Sequence, residues 1–167
     1  MARQLRIEYP GALYHILSRG NERGAIFRDD KDRGIFLETL QESAEINGAI
    51  ILAYVLMKNH YHLIVETPNG NLSQFMKHFN LTYTVRFNRR HQRVGHLFQG
   101  RYKSLVIEED PYLPTLSRYI HLNPIRTESW EEKETAEKIK YLSAYRWSTL
   151  PAYLNAKSKM VWLDYSK

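Results

Sequence analysis

The apolar positions of this chain recur with two periods, two residues and about 3.6 residues, and the switches between them mark its elements. Leu13-Tyr14-His15-Ile16-Leu17-Ser18 is a short apolar run closed by Arg19-Gly20-Asn21, which predicts a first strand ending in a turn. Phe36, Leu40, Ser43, Ala44 and Asn47 then recur at helical spacing from about Asp30, with Asp29 or Asp30 as N-cap and Asn47-Gly48 as stop signal. Residues 50–56 are apolar on both faces, the mark of a central strand. Met57-Lys58-Asn59 turns that strand back into a hairpin partner that begins at His60.

Pro68-Asn69-Gly70 closes the hairpin, and Asn71 with Gln74 three residues on forms a capping-box pattern. Behind it Leu72, Phe75, Met76, Phe79 and Tyr83 predict a second helix to about Phe87. Residues 88–100 read as a polar, basic connection and 104–107 as a short fourth strand. The order β-α-β-β-α-β predicts an α+β, ferredoxin-like (RRM-like) antiparallel sheet, with both helices on one face and the other face free. Asp110 as N-cap and Pro111 at the first helical position open an additional third helix, from 112 to about 123, stopped by Pro124. Leu113, Leu116 and Ile120 form its packing stripe, while Tyr112, Tyr119 and Asn123 share one flank. Residues 131–140 predict a charged helical segment, and 141–154 a C-terminal helix bearing Tyr145, Trp147 and Tyr153. The whole reads as one domain over 1–167, a core at about 9–126 and a helical extension at about 127–167.

Composition narrows the chemistry. At 167 residues and 19.8 kDa the chain can bury a real core without staples. Cysteine is absent, which excludes disulfides, thiolate metal sites and thiol nucleophiles together. Met1-Ala2-Arg3-Gln4-Leu5-Arg6 runs into Ile7-Glu8-Tyr9-Pro10 without an apolar leader core, and no apolar run approaches the ~18 residues of a membrane span, so a cytoplasmic protein is expected. The net charge of +6 sits in one place. Between Thr67 and Ile107 there is no Asp or Glu, while Lys77, Arg86, Arg89, Arg90, Arg93, Arg101 and Lys103 fall there; without these seven, 17 basic residues face 18 acidic ones. The segment is interleaved with aromatics, so it reads as a nucleic-acid surface rather than a solvated face. Arg19, Asn21 and Arg23 in the first loop, with Arg86, Arg89, Arg90, Arg93, Arg101 and Lys103, are the expected backbone contacts. Phe98 and Tyr102 are the expected stacking platforms.

Alternation also places His60 and His62 on one strand face and Tyr61, Leu63 and Val65 on the other. Two imidazoles on one face can hold one metal ion, or can be two half-exposed histidines of an ordinary sheet. Tyr119 and Asn123, i and i+4 on a helix packed near them, suggest one economical use. The metal, held by His60, His62 and the Asn123 side-chain oxygen, would orient a phosphate, and Tyr119 would attack it as the catalytic nucleophile. The product is a 5′-phosphotyrosine and a free 3′-OH, and the conserved ester energy allows rejoining to a second 3′-OH without ATP. His15 on the first strand is a candidate third imidazole near the site, and each residue also has a plainer reading: Tyr119 as one of twelve tyrosines packing a helix, Asn123 as a helix terminator, His15 as a half-buried structural histidine.

The motif Met57-Lys58-Asn59-His60-Tyr61-His62-Leu63-Ile64-Val65, combined with Arg118-Tyr119-Ile120-His121-Leu122-Asn123-Pro124-Ile125-Arg126, resembles the single-tyrosine transposases of the HUH endonuclease superfamily, and among them the REP-associated tyrosine transposases. The resemblance runs from Gly11-Ala12-Leu13-Tyr14-His15 through Arg126 and extends weakly to Tyr145-Arg146-Trp147-Ser148. It implies a Mg²⁺- or Mn²⁺-dependent cut in single-stranded DNA beside a hairpin, with Tyr119, His60, His62 and Asn123 in the roles above, by a monomer or homodimer. The family's Gly-Thr-Ser signature has no counterpart in Leu17-Ser18-Arg19-Gly20. The competing functions are a non-catalytic nucleic-acid-binding module of the same fold, a relaxase or replication-initiator nickase, and a metal-dependent small-molecule hydrolase. The last leaves the acid-free basic segment without a purpose.

Overall fold

The computed structural model describes residues 7–108 and 112–166; Asp110 and Pro111, expected to open the third helix, lie outside them. The elements are β1 (Ala12–Arg19), α1 (Asp30–Asn47), β2 (Ile50–Met57), β3 (His60–Thr67), α2 (Leu72–Arg90), β4 (Lys103–Ile107), α3 (Leu113–His121), α4 (Glu128–Glu131), α5 (Thr135–Ala144) and α6 (Leu150–Leu154). The strands form one antiparallel sheet in the order β2-β3-β1-β4, so the chain takes the α+β, ferredoxin-like arrangement its element order predicts. Among the described residues no helix is long and apolar enough to cross a membrane.

Helices α1 and α2 cover one face of the sheet. There Tyr14, Ile16, Tyr61, Leu63 and Val65 interleave with Phe36, Leu40, Phe75, Phe79 and Tyr83. Phe36 is the hub of this core, with the rings of Tyr61, Phe79 and Tyr83 each 4.9 Å away. Truncating such a buried ring to alanine costs about 3–5 kcal/mol. α1 starts where the Asp29 carboxylate accepts from Asp32 N–H (2.9 Å) and stops at Gly48, whose φ of 66° suits a residue without Cβ.

Five expectations are corrected. The capping box before α2 does not form: Asn71 Nδ2 donates to the Asn47 carbonyl (2.9 Å), and the exposed helix start is met by Glu8, whose carboxylate accepts from Ser73 N–H (3.2 Å). An acid there complements the positive helix end. α2 also runs on to Arg90, because Arg90 pairs with Asp29 (2.6 Å) and Asp32 at the start of α1. β2 is an edge strand rather than a central one. Its apolar outer edge is tolerated because the C-terminal segment pairs with it: Leu56 N–H donates to Trp147 O (2.8 Å), Thr149 N–H to Tyr54 O (3.0 Å) and Asp164 N–H to Ile51 O (3.0 Å). For the same reason residues 141–154 are not one helix: α5 ends at Ala144, Tyr145 is extended, Ser148 bridges to Val55, and α6 begins at Leu150. The charged stretch before them is likewise split, into α4 and α5.

The second sheet face is only partly free. Leu13, Leu52, Ala53, Val55, Ile64 and Ile107 pack against Leu116 and Ile120 of α3, the stripe the sequence predicts. α3 is shorter than expected, ending at His121 before a 3₁₀ turn at Asn123–Ile125. His121 is buried at its end, within 2.8 Å of Thr149 Oγ1 and 3.2 Å of Ser117 Oγ. Burial pushes its pKa down to about 4, so the native ring stays neutral while an unfolded chain takes up a proton below about pH 6.5. Stability is then full above that pH and falls as pH drops towards 4, by on the order of 3 kcal/mol from this group. Urea unfolding from pH 7 to 4 should show this decline, and His121→Gln should make it shallower, with His15, His60 and His62, also lowered by burial, supplying the remainder; an equal slope in the variant would count against the assignment.

Candidate active site

The cross-strand register builds the site. β1 and β3 pair Arg19 with His60, Leu17 with His62 and His15 with Ile64, so these side chains share the face that α3 half covers. His15 reaches diagonally to His62, with 2.8 Å between His15 Nε2 and His62 Nδ1. Its ring stacks on that of His62 at 5.1 Å between centroids, and His60 lies 5.4 Å from His62. His60 is fixed from behind, its Nδ1 lying 2.7 Å from Asn59 Oδ1, and Asn59 Nδ2 in turn donates to the Arg23 carbonyl (3.1 Å).

These contacts set protonation. Burial first, then the Arg19 charge, brings His60 down to about 4. Burial first, then His15, His60, Arg19 and Arg126, brings His62 down to about 3, and burial lowers His15. All three rings are therefore neutral at pH 7. An amide oxygen only accepts, so His60 Nδ1 holds the proton and Nε2 keeps its lone pair. In the tautomer where His62 Nδ1 donates to His15, His62 Nε2 is free in the same way. Two neutral imidazoles, each contacted through its second nitrogen, could then hold a divalent ion. Among the described residues no three His, Cys, Asp or Glu side chains are arranged to hold a metal ion. His15 supplies no third ligand, since its Nε2 is engaged with His62.

Tyr119 projects from α3 over this cluster, its ring 6.2 Å from those of both His15 and His62. At 42 % exposure it is open to a macromolecular substrate. The tyrosine thus stands at the histidines of its own chain. Asn123 Nδ2 donates to the carbonyls of Tyr119 and Ile120 (3.0 Å each), so the amide closes the helix end and Oδ1 is the atom with lone pairs for a ligand. Arg126, just beyond the 3₁₀ turn, lays its guanidinium 4.3 Å from the centre of the Tyr119 ring. An apolar groove of about 420 Å³, lined by Leu52, Ala53, Ile64, Leu113, Pro114, Ser117 and Tyr153, opens on the other flank of α3; it includes none of the histidines.

The basic residues divide into two groups. Arg19, Asn21, Arg23, Arg101 and Lys103 are exposed and converge at the His60 end of the sheet: Lys103 pairs with Leu17, and Gln99 N–H donates to Arg19 O (2.8 Å). Arg86, Arg90 and Arg93 serve the fold instead. Arg86 pairs with Glu42 (2.7 Å), Arg90 with Asp29 and Asp32, and Arg93 donates to the His96 carbonyl (2.7 Å). Arg86, Arg89 and Arg90 belong to α2, on the helix-covered face away from the histidines. Phe98 and Tyr102 are corrected as stacking platforms: each is only 9 % exposed, packed in the helix-side core, with Phe98 5.9 Å from Tyr61. Nothing in the sequence assigns a role to Asn59 or Arg126, and for His15 it leaves a third imidazole near the site beside a structural histidine. Their signal was position alone, beside His60 and seven residues after Tyr119.

Residues 9–123 match the family described as Transposase IS200 like. No curated protein matches the chain. Among solved structures, that of a REP-associated tyrosine transposase bound to a REP hairpin superposes with a TM-score of 0.72, covering 100 % of this chain and 94 % of that one at 15 % identity. A crystal structure assigned as a transposase from Deinococcus radiodurans R1 gives a TM-score of 0.50, covering 71 % of this chain and 95 % of that one at 20 % identity. These identities speak to the fold. The family match spans the sheet, both histidines, Tyr119 and Asn123, and by it this chain belongs to the IS200-like transposases, enzymes that cut and move DNA.

Proposed function

We propose that the chain is a metal-dependent, single-strand-specific DNA endonuclease and strand transferase that works through a 5′-phosphotyrosine. The observation behind this is the placement of the Tyr119 ring 6.2 Å from His62, beside two imidazoles held neutral and tautomerically fixed. His60 and His62 through Nε2, with Asn123 through Oδ1, would hold Mg²⁺ or Mn²⁺; the ion's chemistry is charge neutralisation on the reacting phosphate. The Tyr119 oxygen attacks phosphorus and the bond to the 3′-oxygen breaks. The phenolic proton passes to water, and the leaving oxygen takes one from water. Transfer to a second 3′-OH reverses these events and joins new strands.

The substrate is DNA with an unpaired strand next to a hairpin, as the REP-hairpin complex of the structural neighbour suggests. Arg19, Arg23, Arg101 and Lys103, with Asn21, hold its backbone at the His60 end of the sheet. The chain acts in the cytoplasm, with its site assembled within one copy.

With a hairpin oligonucleotide bearing a 5′ single strand and Mn²⁺, the protein should form an adduct that survives denaturing electrophoresis. Tyr119→Phe should form none while binding the hairpin as before; an adduct from the variant removes Tyr119 as nucleophile. His15→Phe deletes the partner of His62 and should weaken Mn²⁺ binding about 10–100-fold in calorimetry, whereas unchanged affinity would return His15 to a packing role. Each of Arg19→Ala and Lys103→Ala should lower the slope of log affinity against log salt by about one contact, and Arg86→Ala should leave it alone. A slope that responds to Arg86 instead would put the DNA on the helix face.

A further inference from the structure

Arg126 is an exposed cation placed over an exposed phenol, its guanidinium carbon 4.3 Å from the ring centre. Among the described residues no carboxylate lies within ion-pair distance of it. A surface cation–π contact is worth only about 0.5–1 kcal/mol, too little for the fold to depend on it. Its geometry has a chemical consequence, however. A guanidinium held over a ring at this distance spends none of its N–H donors on a conventional hydrogen bond there, and its planar fork matches a phosphate. Position points the same way: Pro124, buried in the turn after α3, brings the chain back so that Arg126 stands beside Tyr119. Arg126 places a fixed positive charge on the tyrosine side of the cluster, with Arg19 opposite His60 on the other.

Building on Tyr119 as the nucleophile, we infer that Arg126 is a catalytic residue of the strand transfer. Its N–H edge binds a non-bridging oxygen of the scissile phosphate, and its face holds the phenol in line for attack. Arg126 stays protonated throughout. The bond from the Tyr119 oxygen to phosphorus forms as the bond to the 3′-oxygen breaks, and charge gathering on the non-bridging oxygens is met by the guanidinium.

The test pairs variants with an altered substrate. Single-turnover cleavage at saturating hairpin DNA and Mn²⁺ is measured for the natural protein, Arg126→Ala, Arg126→Gln and Arg126→Lys. The DNA carries at the scissile position either the phosphate or a neutral methylphosphonate, in which a methyl group replaces one non-bridging oxygen. On the phosphate, the Ala and Gln variants should lose about 100-fold in rate with DNA affinity within about threefold of the natural protein. On the methylphosphonate, where there is no charge to meet, the same substitutions should cost no more than about threefold. Arg126→Lys, which keeps charge but not the planar fork, should recover only part of the rate. Equal losses on both substrates, or no loss on the phosphate, overturn the inference while leaving the adduct of the natural protein intact. If the natural protein forms no adduct with the phosphate, the reading of Tyr119 fails and this one with it.

Discussion

The alternation of side chains along β3 is the constraint on which the rest of this molecule depends. Within eight residues it must deliver Tyr61, Leu63 and Val65 to an aromatic core and His60 and His62 to a reactive surface. A slip of one residue would exchange the two sets, placing imidazoles among Phe36 and Phe79 and a tyrosine where a ligand belongs. The register is held on the core side. Tyr61 is fully buried, ringed by Phe36, Phe79 and Phe98, and its hydroxyl donates to Asn80 Oδ1 (2.8 Å). Hydrophobic packing on one face is thus what positions the chemistry on the other.

The histidines then need a second layer to be useful. A free imidazole on a surface would be partly protonated near neutral pH and could present either nitrogen. Here burial keeps the rings neutral, while Asn59 and His15 commit the Nδ1 atoms and leave the Nε2 atoms for a ligand. Asn59 also ties His60 to the loop that carries Arg23, so one amide couples the orientation of the ring to that loop. α3 adds the phenol from outside the sheet. Its apolar stripe, seated on Ile64 and Ile107, sets how far Tyr119 stands from the rings.

Charge behaves differently from hydrophobicity in this fold. The acid-free stretch from Thr67 to Ile107 looks uniform in sequence, yet the structure divides it by face. Arg90 joins α2 to the acidic start of α1 and Arg86 joins it to Glu42 farther along that helix, and Arg90, between Asp29 and Asp32, also holds Asp29 down to about 2. Arg101 and Lys103, beyond the helix, face outward beside Arg19. The partners lie 44 to 61 positions away in the chain, which is why a local count of charge could not separate the paired arginines from the outward-facing ones.

The element order, the face of each strand, the stripe of α3 and the pairing of two histidines with Tyr119 were all legible in the sequence. Each follows from a short period, two or about 3.6 residues, that local stereochemistry imposes on any chain. Other features were decided only when distant segments met. The edge position of β2 depends on hydrogen bonds from residues beyond 145, and the burial of Phe98 and Tyr102 on the core around Tyr61 and Tyr83. The hydrogen bond of His15 to His62 and the stacking of Arg126 on Tyr119 arise in the same way, one across strands and one around a turn. Periodicity specifies which way a side chain faces. What it meets there is set by packing and by the satisfaction of buried polar groups, which are properties of the assembled fold.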